Sequence, residues 1–473
     1  MAAAPDRVDL FYAGVRGIAR FWLWFFWHRV DVRAPERVPA RGPVLLCINH
    51  PNNLIDSLIV GAALTRKVHY LATASLFRNP LVARFLTACG AVPVYRKQDD
   101  PGAPGDRSRV ERNADAFSAC FALLERGRVI GIYPEGTTHS EARVQRIKTG
   151  AARLALSYES ERPATGGAPL AVVPVGLTFE VRKAFRGRVR LSFGEPIAIG
   201  GYLATYREDP VKAVDALTTA IHWAMEAEIV HVDRLDHADL VRALEELYRG
   251  DLVRELQVER GLGARHIDTF RLSQSIADAV AHFADRDPAR VERMARQVDA
   301  YRALLAACGV RDPAVRTRLE SRAGAAERIR HSWQAGAGLP FFAYGAVVNF
   351  LPYYVPRAIA RWVAGKETSY ATTRLLAAIA AFPLFWGLEI WIVARLAGPL
   401  WASAFAVSLP LSGLLAYRYL GGLGRLRRRL RFGVLALTRR ADASRLLAAR
   451  REIVAELERA KTDYLTATRG STY

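Results

Sequence analysis

Apolar positions fall into three regimes along the chain. Between Ala34 and about Gly200, short apolar runs alternate with amphipathic stretches. Gly42–Ile48, Val68–Ala72, Ala91–Tyr95, Arg128–Tyr133, Leu170–Leu177 and Val189–Phe193 read as strands. Leu54–Leu64, Pro80–Cys89, Arg109–Arg126 and Thr149–Tyr158 read as helices. Asp99–Gly105 is a loop by composition. This alternation predicts an α/β domain with a mixed, mostly parallel sheet flanked by helices. From Pro210 to about Arg330 the pattern turns helical and charged, with Val211, Val214, Leu217, Ile221, Met225 and Ile229 at helical spacing. No chemistry converges there. His231 near Asp233, and His266 near Asp268, read as scattered surface pairs.

The third regime is apolar. Leu375–Val393 has Glu389 as its only charge, and Leu400–Tyr417 has none. About 20 apolar residues cross a bilayer, and the short connector Ala394–Pro399 predicts a transmembrane helical hairpin. Arg357, Arg361, Lys366 and Arg374 precede it, and Arg418, Arg425, Arg427, Arg428, Arg429 and Arg431 follow it, with Arg395 alone at the tip. Basic outer flanks place both flanks in the cytoplasm. The competing reading is a set of buried core helices. Leu339–Val355, broken by Pro340 and Pro352, reads as re-entrant or interfacial, and residues 440–465 as a charged amphipathic helix. At the other end, residues 8–30 carry Phe11, Tyr12, Phe21, Trp22, Trp24, Phe25, Phe26 and Trp27 among Arg16, Arg20 and Arg29. That pattern suits a helix at a membrane interface, or one packed on a core. The expected division is an interface helix over 1–33, an α/β domain over 34–200, a charged helical region over 201–335, a membrane region over 336–420 and a basic tail over 421–473.

Composition narrows the partners. The 473 residues carry a net charge of +21 and are 51% hydrophobic. Such a basic chain suits anionic lipid, a phosphorylated substrate or nucleic acid. No nucleic-acid module is recognisable in it, so no nucleic-acid partner is expected. Cys47, Cys89, Cys120 and Cys308 form no paired motif, which predicts reduced thiols, no metal and no disulfide framework. Asp6, Arg7 and Asp9 interrupt the start, unlike a secretory signal.

The candidate chemistry gathers in the α/β region. Val44–Ile48 leads into Asn49-His50-Pro51-Asn52-Asn53-Leu54-Ile55-Asp56. His50 and Asp56 cannot share a face of one straight helix, since six residues put them roughly 240° apart. They meet only if the chain turns between them, and the asparagines suit a turn. A histidine held by an aspartate is a common general base. The same two residues also read as an unrelated strand-end histidine and helix-start aspartate. Three more blocks follow in order: Gly90–Arg96, then Gly131–Thr137 with Pro134-Glu135-Gly136-Thr137 at its end and Lys148-Thr149-Gly150 beyond, then Val172–Gly176 around Pro174.

Together and in this order, the four blocks resemble the glycerophospholipid acyltransferase family, which includes glycerol-3-phosphate and 1-acylglycerol-3-phosphate acyltransferases. The resemblance covers roughly Ala34–Ile199. It implies an enzyme in which His50 is the general base and Asp56 orients it. It implies Arg96 as a ligand of the acceptor's phosphate, and Glu135, Gly136 and Thr137 as part of the acceptor loop. Pro174 marks the block tied to the acyl donor or to shaping the site. A planar guanidinium suits phosphate, with Lys148 as a second charge. Two departures stand out. Five residues separate His50 from Asp56 where four are usual, which tilts the acceptor toward glycerol-3-phosphate. Thr138-His139 replaces the frequent Arg-Ser after Glu-Gly-Thr, so Lys148 or Arg146 would take over that phosphate contact. His139 has no carboxylate at an offset like that of Asp56, and it ranks below His50. The expected donor is an acyl-CoA or acyl-carrier-protein thioester, with no metal or redox cofactor. The other expected partners are a phosphorylated glycerol acceptor and membrane lipids. Arginine far outweighing lysine hints at a GC-rich bacterial source, and with the hairpin and its basic flanks the expected location is a bacterial inner membrane, with the catalytic domain facing the cytoplasm. A lysophospholipid acceptor, or an inactive scaffold of the same fold, are the alternatives. Oligomeric state is not legible.

Overall fold

The computed structural model describes residues 9–95, 106–139, 143–162, 168–179, 187–229, 235–260, 269–320, 338–365 and 367–469. They form two compact units, one of residues 1–231 with 357–379 and one of residues 232–356 with 380–473.

The first unit is an α/β layer structure. Its seven strands are β1 (Trp27–Arg33), β2 (Val44–Ile48), β3 (Val68–Thr73), β4 (Val92–Val94), β5 (Val129–Ile132), β6 (Ala171–Phe179) and β7 (Gly187–Phe193), in the order β1-β7-β6-β2-β5-β3-β4. Among the described strand pairings, only β6–β7 is antiparallel. The sheet is therefore mixed and mostly parallel, as the alternation of strands and helices predicts. All five residues of β2 are buried, as an unbroken apolar run demands of a strand covered on both faces. Its helices are α1 (Leu10–Phe26), α2 (Leu54–Ala63), α3 (Pro80–Ala88), α4 (Asp106–Glu125), α5 (Gly150–Glu161), α6 (Gly200–Glu208) and α7 (Pro210–Ala227). Leu217, Ile221 and Met225 of α7 join Leu45, Ile130, Leu154 and Val172 in one core. Val211, expected on the same face, is exposed. At the N-terminal edge of the central strands, the Arg66 guanidinium donates to the carbonyls of Pro39 at 2.7 Å, Gly42 at 2.8 Å and Gly127. Burial pushes the Cys47 thiol up to about 12 and the Cys120 thiol likewise, which leaves both as inert core residues.

The aromatic segment is where the structure departs most from the sequence expectation. The helix stops at Phe26, and Trp27–Arg33 pairs with β7 as an edge strand. Val30 and Val32 are β-branched residues alternating with polar ones, a period-2 signal hidden by the aromatic cluster before it. Arg16 donates to the carbonyls of Leu64 and Thr65, and Arg20 to that of Ala62. Both satisfy the open C-terminal end of α2. The helix is two-sided. Tyr12, Trp22, Leu23 and Phe26 are buried, whereas Leu10, Phe11, Ile18, Phe21 and Trp24 are exposed.

The second unit is helical, with α8 (Leu235–Arg260), α9 (Thr269–Arg286), α10 (Pro288–Ala307), α11 (Asp312–Glu320), α12 (Gly338–Val348), α13 (Phe350–Val363), α14 (Glu367–Ala397), α15 (Pro399–Thr438) and α16 (Arg440–Arg469). Helices α13 and α14 each contribute part of their length to the first unit. Ser369–Ala397 and Pro399–Leu420 are long and apolar enough to cross a membrane, with Gly398 alone, at φ 88°, between them. The apolar stretch expected to be broken by Pro340 and Pro352 is broken at Asn349 instead. Pro352 sits in the first turn of α13, where no N–H is needed. The Asn349 amide donates to the Gly345 carbonyl at 3.0 Å and accepts from Trp386 Nε1 at 3.2 Å. The histidine pairs noted at His231 and His266 lie outside the described residues.

Candidate active site

Parallel pairing of β2 with β5 brings both C-terminal ends to one edge of the sheet. That edge is where open α/β sheets bind ligands. His50 follows β2, and Glu135 follows β5. Asn49 pins the start of the first loop: its side-chain amide donates to the Leu177 carbonyl at 3.0 Å and accepts the Leu177 N–H at 2.7 Å. The chain then turns through Pro51–Asn53 into α2, and Asp56 falls in the first turn of that helix.

The turn brings the expected pair together. His50 Nδ1 lies 2.9 Å from Asp56 Oδ2. The same oxygen accepts the Asn52 N–H at 2.8 Å. Asp56 is fully buried, and the His50 side chain is 17% exposed. A carboxylate in the first turn of a helix is also favoured by the helix dipole. With Nδ1–H donating to the carboxylate, His50 Nε2 carries the lone pair. The Tyr133 ring stacks on the imidazole at 3.9 Å and 23°. Tyr133 meets Ser57 Oγ at 2.6 Å, and Tyr70 stacks behind it at 6.3 Å. Burial, then the nearby Asp56, hold the Tyr133 phenol well above its ordinary range. It stays protonated and packs the base without competing with it.

Glu135 is turned inward. The resemblance gives it a place in the acceptor loop, but its carboxylate is occupied by the protein. Oε1 accepts the His50 N–H at 2.9 Å, and Oε2 accepts the Gln145 N–H at 2.9 Å and pairs with His139 Nε2. Glu135 is 3% exposed. The His139 N–H in turn donates to the His50 carbonyl at 3.4 Å. The peptide groups on both sides of His50 are therefore held by residues 135–139. His139 does have a carboxylate partner, four positions before it rather than six after. Sequence reasoning missed it by searching only the offset of the first pair. Gly136 adopts φ 66°, and a Cβ there would lie 2.6 Å from Lys148 Nζ. Glycine thus lets the Lys148 ammonium lie against the loop, beside its exposed residue Thr137. Arg146 is exposed. Arg96 lies outside the described residues. No group of three or more histidine, cysteine or carboxylate side chains able to hold a metal occurs among the described residues.

A base, a buried orienting carboxylate and a cation, gathered at one sheet edge, are the parts that transfer to a hydroxyl requires. The family model Acyltransferase matches residues 29–178. This segment is an acyltransferase domain. It contains His50, Asp56, Glu135 and Lys148, and its match reaches into β6. Among relatives, the domain is similar to glycerol-3-phosphate O-acyltransferase 2 of Saccharomyces cerevisiae, 32% identical over 143 residues, which are 30% of this chain and 19% of that protein. It is also similar to the 1-acyl-sn-glycerol-3-phosphate acyltransferase of Bacillus subtilis, 28% identical over 170 residues, 36% of this chain and 73% of that one. The crystal structure of the 1-acyl-sn-glycerophosphate acyltransferase of Thermotoga maritima matches at 18% identity and a TM-score of 0.31, over 44% of this chain and 78% of that one. This chain spans only about a fifth of the yeast enzyme (19%).

Proposed function

We propose that the chain is a membrane-bound O-acyltransferase that moves a fatty acyl group from a coenzyme A or acyl-carrier-protein thioester to glycerol-3-phosphate. The 2.9 Å contact of His50 Nδ1 with the buried Asp56 carboxylate carries this reading. A free alcohol is a poor nucleophile at neutral pH and needs a base. His50 Nε2 takes the acceptor's hydroxyl proton as its oxygen attacks the thioester carbonyl. The tetrahedral oxyanion collapses, the carbon–sulfur bond breaks, and the imidazolium returns the proton to the departing thiolate. Asp56 stabilises the imidazolium while it exists. Glu135 holds the His50 backbone. Lys148, with Arg96 from the sequence pattern, supplies positive charge for the acceptor's phosphate. The mechanism uses no metal or redox cofactor.

The two apolar helices support a membrane location, and their basic outer flanks support a catalytic domain on the cytoplasmic side. The exposed face of α1, with Phe11, Phe21 and Trp24, would add contact with the bilayer interface. The longer spacing between His50 and Asp56 favours glycerol-3-phosphate. The second acceptor is its monoacyl product, favoured by the 73% coverage of a relative named for it.

Purified protein in detergent, given labelled acyl-CoA and a panel of acceptors, tests the reading. Incorporation into glycerol-3-phosphate is expected. Transfer only to a lysophospholipid lacking a phosphate monoester, or to none of the acceptors, overturns it. Alkaline carbonate should leave the protein in membranes; its release intact would refute the anchoring.

A further inference from the structure

The turn that carries His50 to Asp56 is held from within by the Asn52 N–H on Asp56 Oδ2 at 2.8 Å and the Asp56 N–H on the Asn53 carbonyl at 3.0 Å, and it also takes bonds from α14. Asn53 sits at φ 58° and ψ −138°, a combination that residues with a side chain rarely adopt and that persists only where the surroundings impose it. Asparagine at a helix N-cap ordinarily accepts an N–H of the first turn. Here the Asn53 side chain makes no capping bond, and its Nδ2 donates to Ser369 Oγ at 3.4 Å. One residue earlier, the Asn52 carbonyl accepts the Thr372 hydroxyl at 3.2 Å. Ser369 and Thr372 stand on the first turns of α14, and that part of the helix belongs to the same compact unit as the turn.

One face of this stretch of α14 is buried. Thr372, Arg374, Leu375 and Ala378 are buried, and the Arg374 guanidinium lies over the Phe26 ring at 5.9 Å. Farther along the same helix, Leu384, Leu388, Trp391 and Leu396 are exposed. The start of the helix is bound to the catalytic turn, and its continuation presents a bare apolar surface.

We propose that Ser369 and Thr372 are positioning residues for the acyl-transfer base, holding the strained Asn52–Asn53 turn and with it the approach of His50 to Asp56. This rests on the acyl-transfer reading above. It goes further, in that the first apolar helix sets the catalytic geometry as well as anchoring the chain. The proton relay is short, so a small displacement of the turn costs rate rather than substrate affinity.

Full-length protein in detergent tests this with Thr372→Val, which keeps the shape and loses the hydroxyl, and Thr372→Ser, which keeps the donor. Thr372→Val should lower kcat about tenfold, as displacement of a reacting group does. KM for both substrates should stay within about twofold. Thr372→Ser should recover most of the rate. Deuterium exchange of the segment 49–56 should be faster in Thr372→Val than in Thr372→Ser. Should Thr372→Val fail to fold, Ser369→Ala is read in the same way against wild type. Wild-type kcat and exchange in the variant lacking the hydroxyl, equal losses in both Thr372 variants, or a loss confined to KM would overturn the proposal. Absence of transfer by the wild-type protein to any acceptor would instead refute the acyl-transfer reading, while the exchange measurement still decides whether Thr372 holds the turn.

Discussion

The His50–Asp56–Glu135–His139 set in the first unit and the Arg450–Asp312–Asp251–Tyr301 set in the second are made of similar materials. Each joins buried or half-buried carboxylates to nitrogen groups through short hydrogen bonds. In the second set, Arg450 donates to Asp312 at 2.8 Å, to Asp251 at 2.8 Å and to the Leu247 carbonyl at 3.2 Å, while the Tyr301 hydroxyl donates to Asp312 at 2.9 Å. Burial lowers the proton affinity of the Arg450 guanidinium, but Asp312 and Asp251 outweigh it and the net shift is upward. Burial, then Asp312, push the Tyr301 phenol far above its ordinary range. Neither group changes protonation at accessible pH. The cluster fastens α8, α10, α11 and α16 around a core of Leu244, Val315 and Leu446. In the first set the central base is an imidazole whose Nδ1 is taken by Asp56, which leaves Nε2 to accept a proton. Burial and charge pairing are common to both clusters, so neither identifies a site. A titratable base that keeps one nitrogen unspent does.

The sharpest way to break this contrast is to remove each centre in turn. His50→Ala should lower acyl transfer per folded molecule about 10²–10⁴-fold, the usual loss for a general base. Full activity of that variant would end the mechanism. Arg450→Met should do the reverse. Removing one partner of a buried ion pair costs about 3–5 kcal/mol, so thermal or denaturant unfolding of the second unit should occur much earlier. Transfer per folded molecule should stay unchanged. A variant that kept its stability but lost turnover would show that the second cluster takes part in catalysis.

A smaller effect tests the packing on the base. Tyr133→Phe keeps the ring against His50 and loses the bond to Ser57. The loss should be about 1 kcal/mol of stability, the usual net worth of such a bond, with turnover within about threefold of wild type. A much larger drop in rate would mean that the phenol takes part in the proton chemistry.

How much of this was legible beforehand follows the range of each interaction. Six of the strands and the helices between them announce themselves through local periodicity. The His50–Asp56 pair could be anticipated because one turn joins the two residues. The edge strand at Trp27–Arg33 was hidden, because its valines follow a cluster of aromatics that dominates the local signal and its partner β7 lies far along the chain. Glu135 was seen as a motif residue, but its inward direction is set by the His50 N–H, 85 positions away. Thr372 carried no signal at all. A threonine at the start of an apolar helix has nothing in its local pattern to tie it to a residue 320 positions earlier.

The subtlest expected difference lies in the turn itself, and it separates the two clusters once more, because strain of this kind accompanies the first. Ordinarily alanine is the more favourable residue and glycine the less, since glycine loses more freedom on folding. At Asn53 the order should invert. Neither Asn53→Ala nor Asn53→Gly can bond Ser369, so the missing side-chain contact cancels between them. What remains is the backbone at φ 58° and ψ −138°, which glycine adopts freely and alanine does not. Asn53→Gly should therefore be more stable than Asn53→Ala by about 1–2 kcal/mol, within the range that such backbone strain costs. Matched thermal melts in one detergent would read this as a difference of a few degrees. Equal stability, or alanine the more stable, would mean that the turn is relaxed and that the tie from α14 has no strain to hold.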